Sequence, residues 1–167
     1  MATCDTSLLK SIGALCSEGN APDLQDVIYV IPDESVVVPF PAYDADSLNV
    51  AADIAQTAKH FEQWNITKTN NSFDAGSKGT GDSHYFEPKL EFTLAKTSAT
   101  KSYILSKSRG RRLTFVFIDN NGNKRIMRHA LVMFDETTKS ENAYKVIVTC
   151  GMLPDPLPFY TGALPLA

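Results

Sequence analysis

Between residues 113 and 128 the chain reads LTFVFIDNNGNKRIMR, and this stretch limits the possible folds more than any other. Leu113 to Ile118 form a strongly β-prone run, and Lys124 to Arg128 begin a second one. The five residues between them are Asp119, Asn120, Asn121, Gly122 and Asn123, types that tolerate the positive φ of a tight reversal. The spacing predicts two antiparallel strands joined by a short turn.

Other segments supply partners for that hairpin. Residues 84–95 place Phe86, Leu90, Phe92 and Leu94 on one face and Glu87, Lys89, Glu91 and Thr93 on the other, the alternation of a half-buried strand. Tyr144, Val146, Val148 and Cys150 alternate with Lys145 and Thr149 in a last strand, and Leu131 to Phe134 add a short apolar run. Residues 27–31 and 36–38 read as two strands separated by a turn at Pro32, Asp33 and Glu34, with Pro39 and Pro41 ending the second. Residues 59–69 carry Trp64 and Ile66 two apart, as in a strand, whereas 47–58 fit a weak helix or a bent strand equally.

Two short helices are expected. Asp5, Thr6 and Ser7 precede Leu8, Leu9, Ile12 and Leu15 within an N-terminal segment at 1–20. Ser98 caps a second helix through about Lys107, with Ala99, Tyr103 and either Leu105 or Ile104 turned inward and Gly110 ending it. Residues 70–83, NNSFDAGSKGTGDS, hold three glycines and a single Phe73, a composition that predicts a long mobile hairpin loop. From 152 to 167, Pro154, Pro156, Pro158 and Pro165 alternate with Leu153, Leu157, Phe159, Tyr160, Leu164 and Leu166. Such a segment is too apolar for a solvated tail, so it predicts an extended arm that needs a groove on its own domain or on a neighbour. With 167 residues the chain suits one core, and the expected fold is a single β-rich (α+β) domain.

Charge excludes several functions. Sixteen Lys and Arg stand against 19 Asp and Glu, a formal charge of -3, so tight binding to nucleic acid is not expected. A mildly acidic surface still lets DNA slide past without sticking. Cys4, Cys16 and Cys150 are odd in number and widely spaced, which fits neither a disulfide framework nor a zinc site. The opening residues lack a basic segment followed by an apolar stretch, and no run reaches the roughly 18 apolar residues of a membrane span, so a soluble cytoplasmic protein is expected. His60, His84 and His129 are scattered, and Asp119 to Asn123 lack the terminal acid of a calcium loop. Gly76, Gly79 and Gly81 lack the strand and helix that flank a phosphate loop, and no GxSxG pattern occurs. No catalytic, cofactor-binding or metal-binding residue is expected. Arg109, Arg111 and Arg112 fit a helix C-terminus, or an ion pair with an acid such as Asp44, Asp46 or Asp135, better than a phosphate site.

Five segments follow a Cys-containing N-terminal stretch in a fixed order: IYVIP at 28–32, QWNITKTNNSF at 63–73, YFEPKLEFTLAK at 85–96, RRLTFVFIDNNGNKRIM at 111–127 and ENAYKVIVTCGMLPDPLPFYTG at 141–162. This order resembles the tail-tube proteins encoded by phages and prophages of Bacteroidetes-type bacteria. The resemblance implies a β-sandwich or barrel flanked by a helix, six copies closing into a ring, and rings stacking into a conduit through which DNA passes without sequence-specific contact. It further implies a non-enzymatic virion protein without cofactor, assembled in the host cytoplasm, whose partners are its own copies and other tail proteins but no membrane. The loop residues Asn70, Asn71, Phe73, Lys78 and Asp82 would then order against the next ring. Arg109, Arg111 and Arg112, with Pro156, Phe159 and Tyr160 of a clamping arm, would complete the interface. Rival expectations are another virion component, such as a head-tail completion or minor capsid protein, a β-sandwich module that binds sugar or protein, and an enzyme with non-local catalytic residues.

Overall fold

The structure, a computed structural model, describes residues 24–44, 46–67, 71–95, 98–119, 121–137 and 142–166. In chain order it runs β1 (Leu24–Pro32), β2 (Asn49–Val50), β3 (Glu62–Asn65), β4 (Ser72–Asp74), β5 (Ser77–Lys78), β6 (Tyr85–Phe86), β7 (Lys89–Ala95), α1 (Ala99–Ser108), β8 (Leu113–Asp119), β9 (Lys124–Thr137), β10 (Ala143–Thr149) and β11 (Phe159–Tyr160). One sheet of nine strands holds the order β3-β1-β8-β9-β10-β7-β4, with β11 joined to β9 and β2, while β5 and β6 form a separate hairpin. Pairing is antiparallel except between β2 and β11. The molecule is β-rich with one short helix among the described residues, and the large sheet does not close.

The long strand β9 organises this sheet. Its first part pairs with β8, from Lys124 opposite Ile118 to Ala130 opposite Leu113, and its second part pairs with β10, from Leu131 opposite Thr149 to Thr137 opposite Ala143. Between the two parts the β8–β9 register shifts and His129 takes φ +54°, so the strand bends like a bulged one and turns the sheet back on itself. The half built from β1, β3 and β8 then faces the half built from β4, β7 and β10. Trp64 of β3 sits with its ring 6.3 Å from Phe92 of β7 and 5.9 Å from Phe115 of β8, and Phe73 of β4 lies 4.8 Å from Phe117. Thr67 N–H also donates to Thr93 O, at 3.0 Å, across the open side.

Strand β8 is buried on both faces. Leu113, Phe115 and Phe117 enter the main core, whereas Val116 points the other way into a second cluster with Ile31, Val50, Ile54, Phe61, Ile126 and Tyr160. That two-sided burial is why the segment is apolar at every position from 113 to 118 except Thr114, rather than alternating. The turn after it is held by Asp119, whose Oδ1 accepts from the backbone N–H of Asn121 and Asn123 at 2.9 and 2.8 Å.

Helix α1 lies at one end of the main core. Ser98 Oγ accepts from Lys101 N at 3.2 Å, as its capping chemistry predicts, and Gly110 beyond the helix takes φ +78°. Its inward face is narrower than expected: Leu105 is buried, but Tyr103 is 64% exposed, and Ala99 and Ile104 are exposed too. A ten-residue helix set across the end of the core buries Leu105 and Ser108 and leaves their neighbours on the rim. The other expected helix, at 1–20, lies outside the described residues.

Four further expectations are corrected. Residues 36–38 are no strand: only Val36 finds a partner, a single bridge to Ala55, after a 3-10 turn at Asp33–Ser35 redirects the chain. Residues 47–58 are neither helix nor one bent strand, but a turn, β2 and the bridge at Ala55. The expected single strand at 84–95 splits into β6 and β7 at Pro88, which has no N–H to continue a ladder. The hairpin loop expected at 70–83 is not structureless over its described residues, 71–83: Ser72–Asp74 adds an edge strand to β7, and Ser77–Lys78 pairs with β6. The composition there is polar, yet the half-buried Phe73 ring and the β7 backbone hold β4 in place.

The C-terminal arm seats on its own chain. Ile126 N–H donates to Pro158 O, Phe159 N–H to Leu48 O, Thr161 N–H to Val50 O and Phe61 N–H to Pro165 O, at 2.7 to 3.1 Å. Tyr160 is buried and donates its hydroxyl to Ala163 O at 2.7 Å. Burial pushes this phenol up from 10.0 to about 12. A folded-state value above the unfolded one means that its contribution to stability is complete below pH 10 and is lost as the pH rises through about 12. Urea midpoints measured from pH 9 upward should therefore fall more steeply in the parent than in Tyr160→Phe, and equal slopes would contradict this burial.

Candidate assembly surface

The half-sheet β9–β10–β7–β4 ends in two strand edges that no described residue pairs. On one side, β4 pairs with β7 from Ser72 to Asp74 and has no further neighbour. On the other, residues 131–137 of β9 pair with β10 alone, because β8 reaches only to Ala130. An open strand edge presents unpaired N–H and C=O groups and acts as a template for another chain. The outward face between these edges mixes apolar and charged groups. Leu131 and Met133 are exposed, the latter at 56%, and Ile147 pairs in register with Met133. Lys89 and Lys145 both form ion pairs with Glu91 beside them. The hydrogen bond from Lys89 holds the Glu91 carboxyl below its usual range, against the opposing effect of burial.

A cleft runs between α1 and β3. Its two lobes, of about 240 and about 270 Å³, share Trp64 and Ile104. Gln63, Asn65, Leu94, Lys101 and Leu105 complete the first, and Glu62, Tyr103, Lys107 and Arg111 contribute to the second. The charged rim is mostly cationic. Lys107 Nζ lies 5.5 Å from the Tyr103 ring centroid, and Arg111 pairs with Glu34 at 2.5 Å.

The residues expected at an interface are distributed unevenly. Asn70 lies outside the described residues. Asn71 is buried, with Oδ1 accepting from Leu24 N–H at 3.2 Å and Nδ2 donating to Thr67 O at 2.9 Å, so it anchors the start of β1. Phe73 is half-buried against Phe117. Lys78 and Asp82 are exposed in the β5–β6 hairpin, where Lys78 pairs with Glu87 at 2.5 Å. Arg109, Arg111 and Arg112 cluster at the C-terminal end of α1, all exposed. Pro156 is exposed, but Phe159 is half-buried under the Arg125 guanidinium at 4.2 Å, and Tyr160 belongs to the second core.

Sequence reasoning missed the cleft residues Trp64, Tyr103 and Ile104, and the exposed Leu131, Met133 and Val38. It also missed Arg128, whose guanidinium stacks on Phe40 at 3.6 Å. His129 Nδ1 lies 2.5 Å from Asp33 Oδ2, and Asp33 Oδ1 accepts from Thr114 Oγ1 at 2.6 Å. Among the described residues no group of three or more His, Cys, Asp and Glu could hold a metal ion, and no helix is long and apolar enough to cross a membrane. Burial pushes the Cys150 thiol up to about 11, away from thiolate reactivity at neutral pH. Comparison with protein-family models, with curated proteins and with solved structures finds no match.

Proposed function

We propose that this chain is a structural subunit that closes with copies of itself into six-membered rings, and that the rings stack into the tail tube of a phage. The reading is carried by the two free edges of the half-sheet β9–β10–β7–β4, which lie on opposite sides of one four-stranded layer. A layer with an open strand at each side can pair head to tail, β4 of one copy beside residues 131–137 of the next. Head-to-tail pairing repeats until the rotation closes a ring, and a ring of such layers is a barrel with a hollow interior. In this reading the subunit is a β-sandwich-like unit flanked by α1. On the layer itself, the pairing of Lys89 and Lys145 with Glu91 and the acidic net charge of -3 disfavour the arrest of DNA in transit.

Negative-stain microscopy beside sizing chromatography, over a concentration series, tests the proposal. Rings and stacked tubes should appear as concentration rises. A chain that stays monomeric throughout would refute it and favour a binding module. Deleting residues 72–81 is not a clean test, because it removes β4 and Phe73 from the fold itself.

A further inference from the structure

Edge pairing leaves two surface features without a role, the cleft beside α1 and the loop at 36–44. Val38 at the tip of that loop is 90% exposed, and Pro39 beside it is exposed too. The loop is nevertheless fixed from several sides. Val37 N–H donates to Ile54 O at 2.8 Å, the Arg128 guanidinium stacks on Phe40, Tyr43 donates its hydroxyl to Asp155 at 3.0 Å, and Asp44 bridges to Asn49. A bare apolar tip on a fixed loop has already lost the freedom that docking would otherwise remove. Asp44 ends the loop and Asp46 follows it, both exposed, whereas Lys101, Lys107 and Arg111 line the cleft with Glu62, and Arg111 is paired with Glu34. None of residues 36–44 lines the cleft of its own chain.

We propose that the loop at 36–44 of one copy, led by Val38 and Pro39, seats in the α1–β3 cleft of a second copy. Val38 enters the apolar floor formed by Trp64 and Ile104, and Asp44 and Asp46 meet the cationic rim at Lys107. The two surfaces differ in shape and in sign of charge, so the contact is heterologous and compatible with a ring rather than tied to a twofold dimer. The inference rests on the reading that this chain assembles with its own copies.

Cross-linking tests it in a background of Cys4→Ser, Cys16→Ser and Cys150→Ala. Val38→Cys in one chain and Ile104→Cys in a second, distinguished by tags of different size, are mixed and mildly oxidised. The disulfide-linked heterodimer should exceed by about tenfold the yield from Val38→Cys mixed with Met152→Cys, a control at another exposed position. Asp46→Lys in the first chain should cut the yield about fivefold, and Lys107→Glu in the second should restore it. Should a cysteine variant misfold, Val38→Asp in the otherwise native chain takes its place and should weaken self-association on sizing chromatography about tenfold. A heterodimer yield at the control level, as when another segment fills the cleft, overturns the contact. Micrographs of the same samples separate the two readings: tubes without the cross-link overturn the contact and leave the tube, and the cross-link without rings keeps the contact and refutes the tube.

Discussion

A chain cut after Pro156 is expected to unfold, because the arm beyond it is part of the core. Leu157 is buried in the main cluster and Tyr160 in the second, where it covers Val50, Ile54, Phe61 and Ile126. Removing a buried leucine costs about 2–5 kcal/mol and a buried aromatic ring about 3–5 kcal/mol. The arm also takes away the carbonyl acceptors at Pro158 and Pro165, which leaves the N–H groups of Ile126 and Phe61 without their present partners. The sum rivals the roughly 5–15 kcal/mol that holds a whole domain folded. Circular dichroism should therefore show no cooperative urea transition for the truncated chain. Pro156→Ala, at an exposed site outside both clusters, should stay within about 0.5 kcal/mol of the parent. A truncated chain that melts with the parent midpoint would return the arm to the surface, free to clamp a neighbour.

How much of this was legible follows from how local each determinant is. The 113–128 hairpin could be read because its turn chemistry and its strands are contiguous in sequence. The cap of α1 was likewise local, fixed by Ser98 and the N–H three residues on. By contrast, β4 sits in a polar, glycine-rich stretch and exists because Phe73 meets Phe117, 44 positions away, and β7 offers it a free backbone edge. Val36 to Val38 carry the composition of a strand, but a strand needs a neighbour, and only Val36 has one. The arginine cluster could be placed at a helix end, yet its pairing with Glu34 is non-local. The cleft joins Trp64, Leu94 and Ile104 from three elements, and no periodicity links them. The free edge of β9 had no signal of its own: it arises because β9 is 14 residues long and β8 only seven.

Phe115→Ala should cost about 3–5 kcal/mol, because this fully buried ring stands where the two halves of the bent sheet meet. Phe115 is flanked in register by Val30 of β1 and Met127 of β9, and the edge of Trp64 closes on it from β3. Trp64 in turn meets Phe92 across the core, so deleting the Phe115 ring removes one side of the contact that carries packing from one half to the other. The chain holds a single tryptophan, so its emission reports this junction directly. In Phe115→Ala the native emission should shift to the red as water reaches the indole, and the denaturation midpoint should fall with little change in slope, since the surface exposed on unfolding barely changes. Tyr103→Ala is the matched control on the rim of the same cleft. It should leave stability within about 0.5 kcal/mol and keep the Trp64 floor in place. A loss below about 1 kcal/mol for Phe115→Ala would mean that the halves do not pack face to face. The free edges of the β9–β10–β7–β4 layer would then no longer stand on a rigid unit, and both the ring and the loop-in-cleft contact would lose their scaffold.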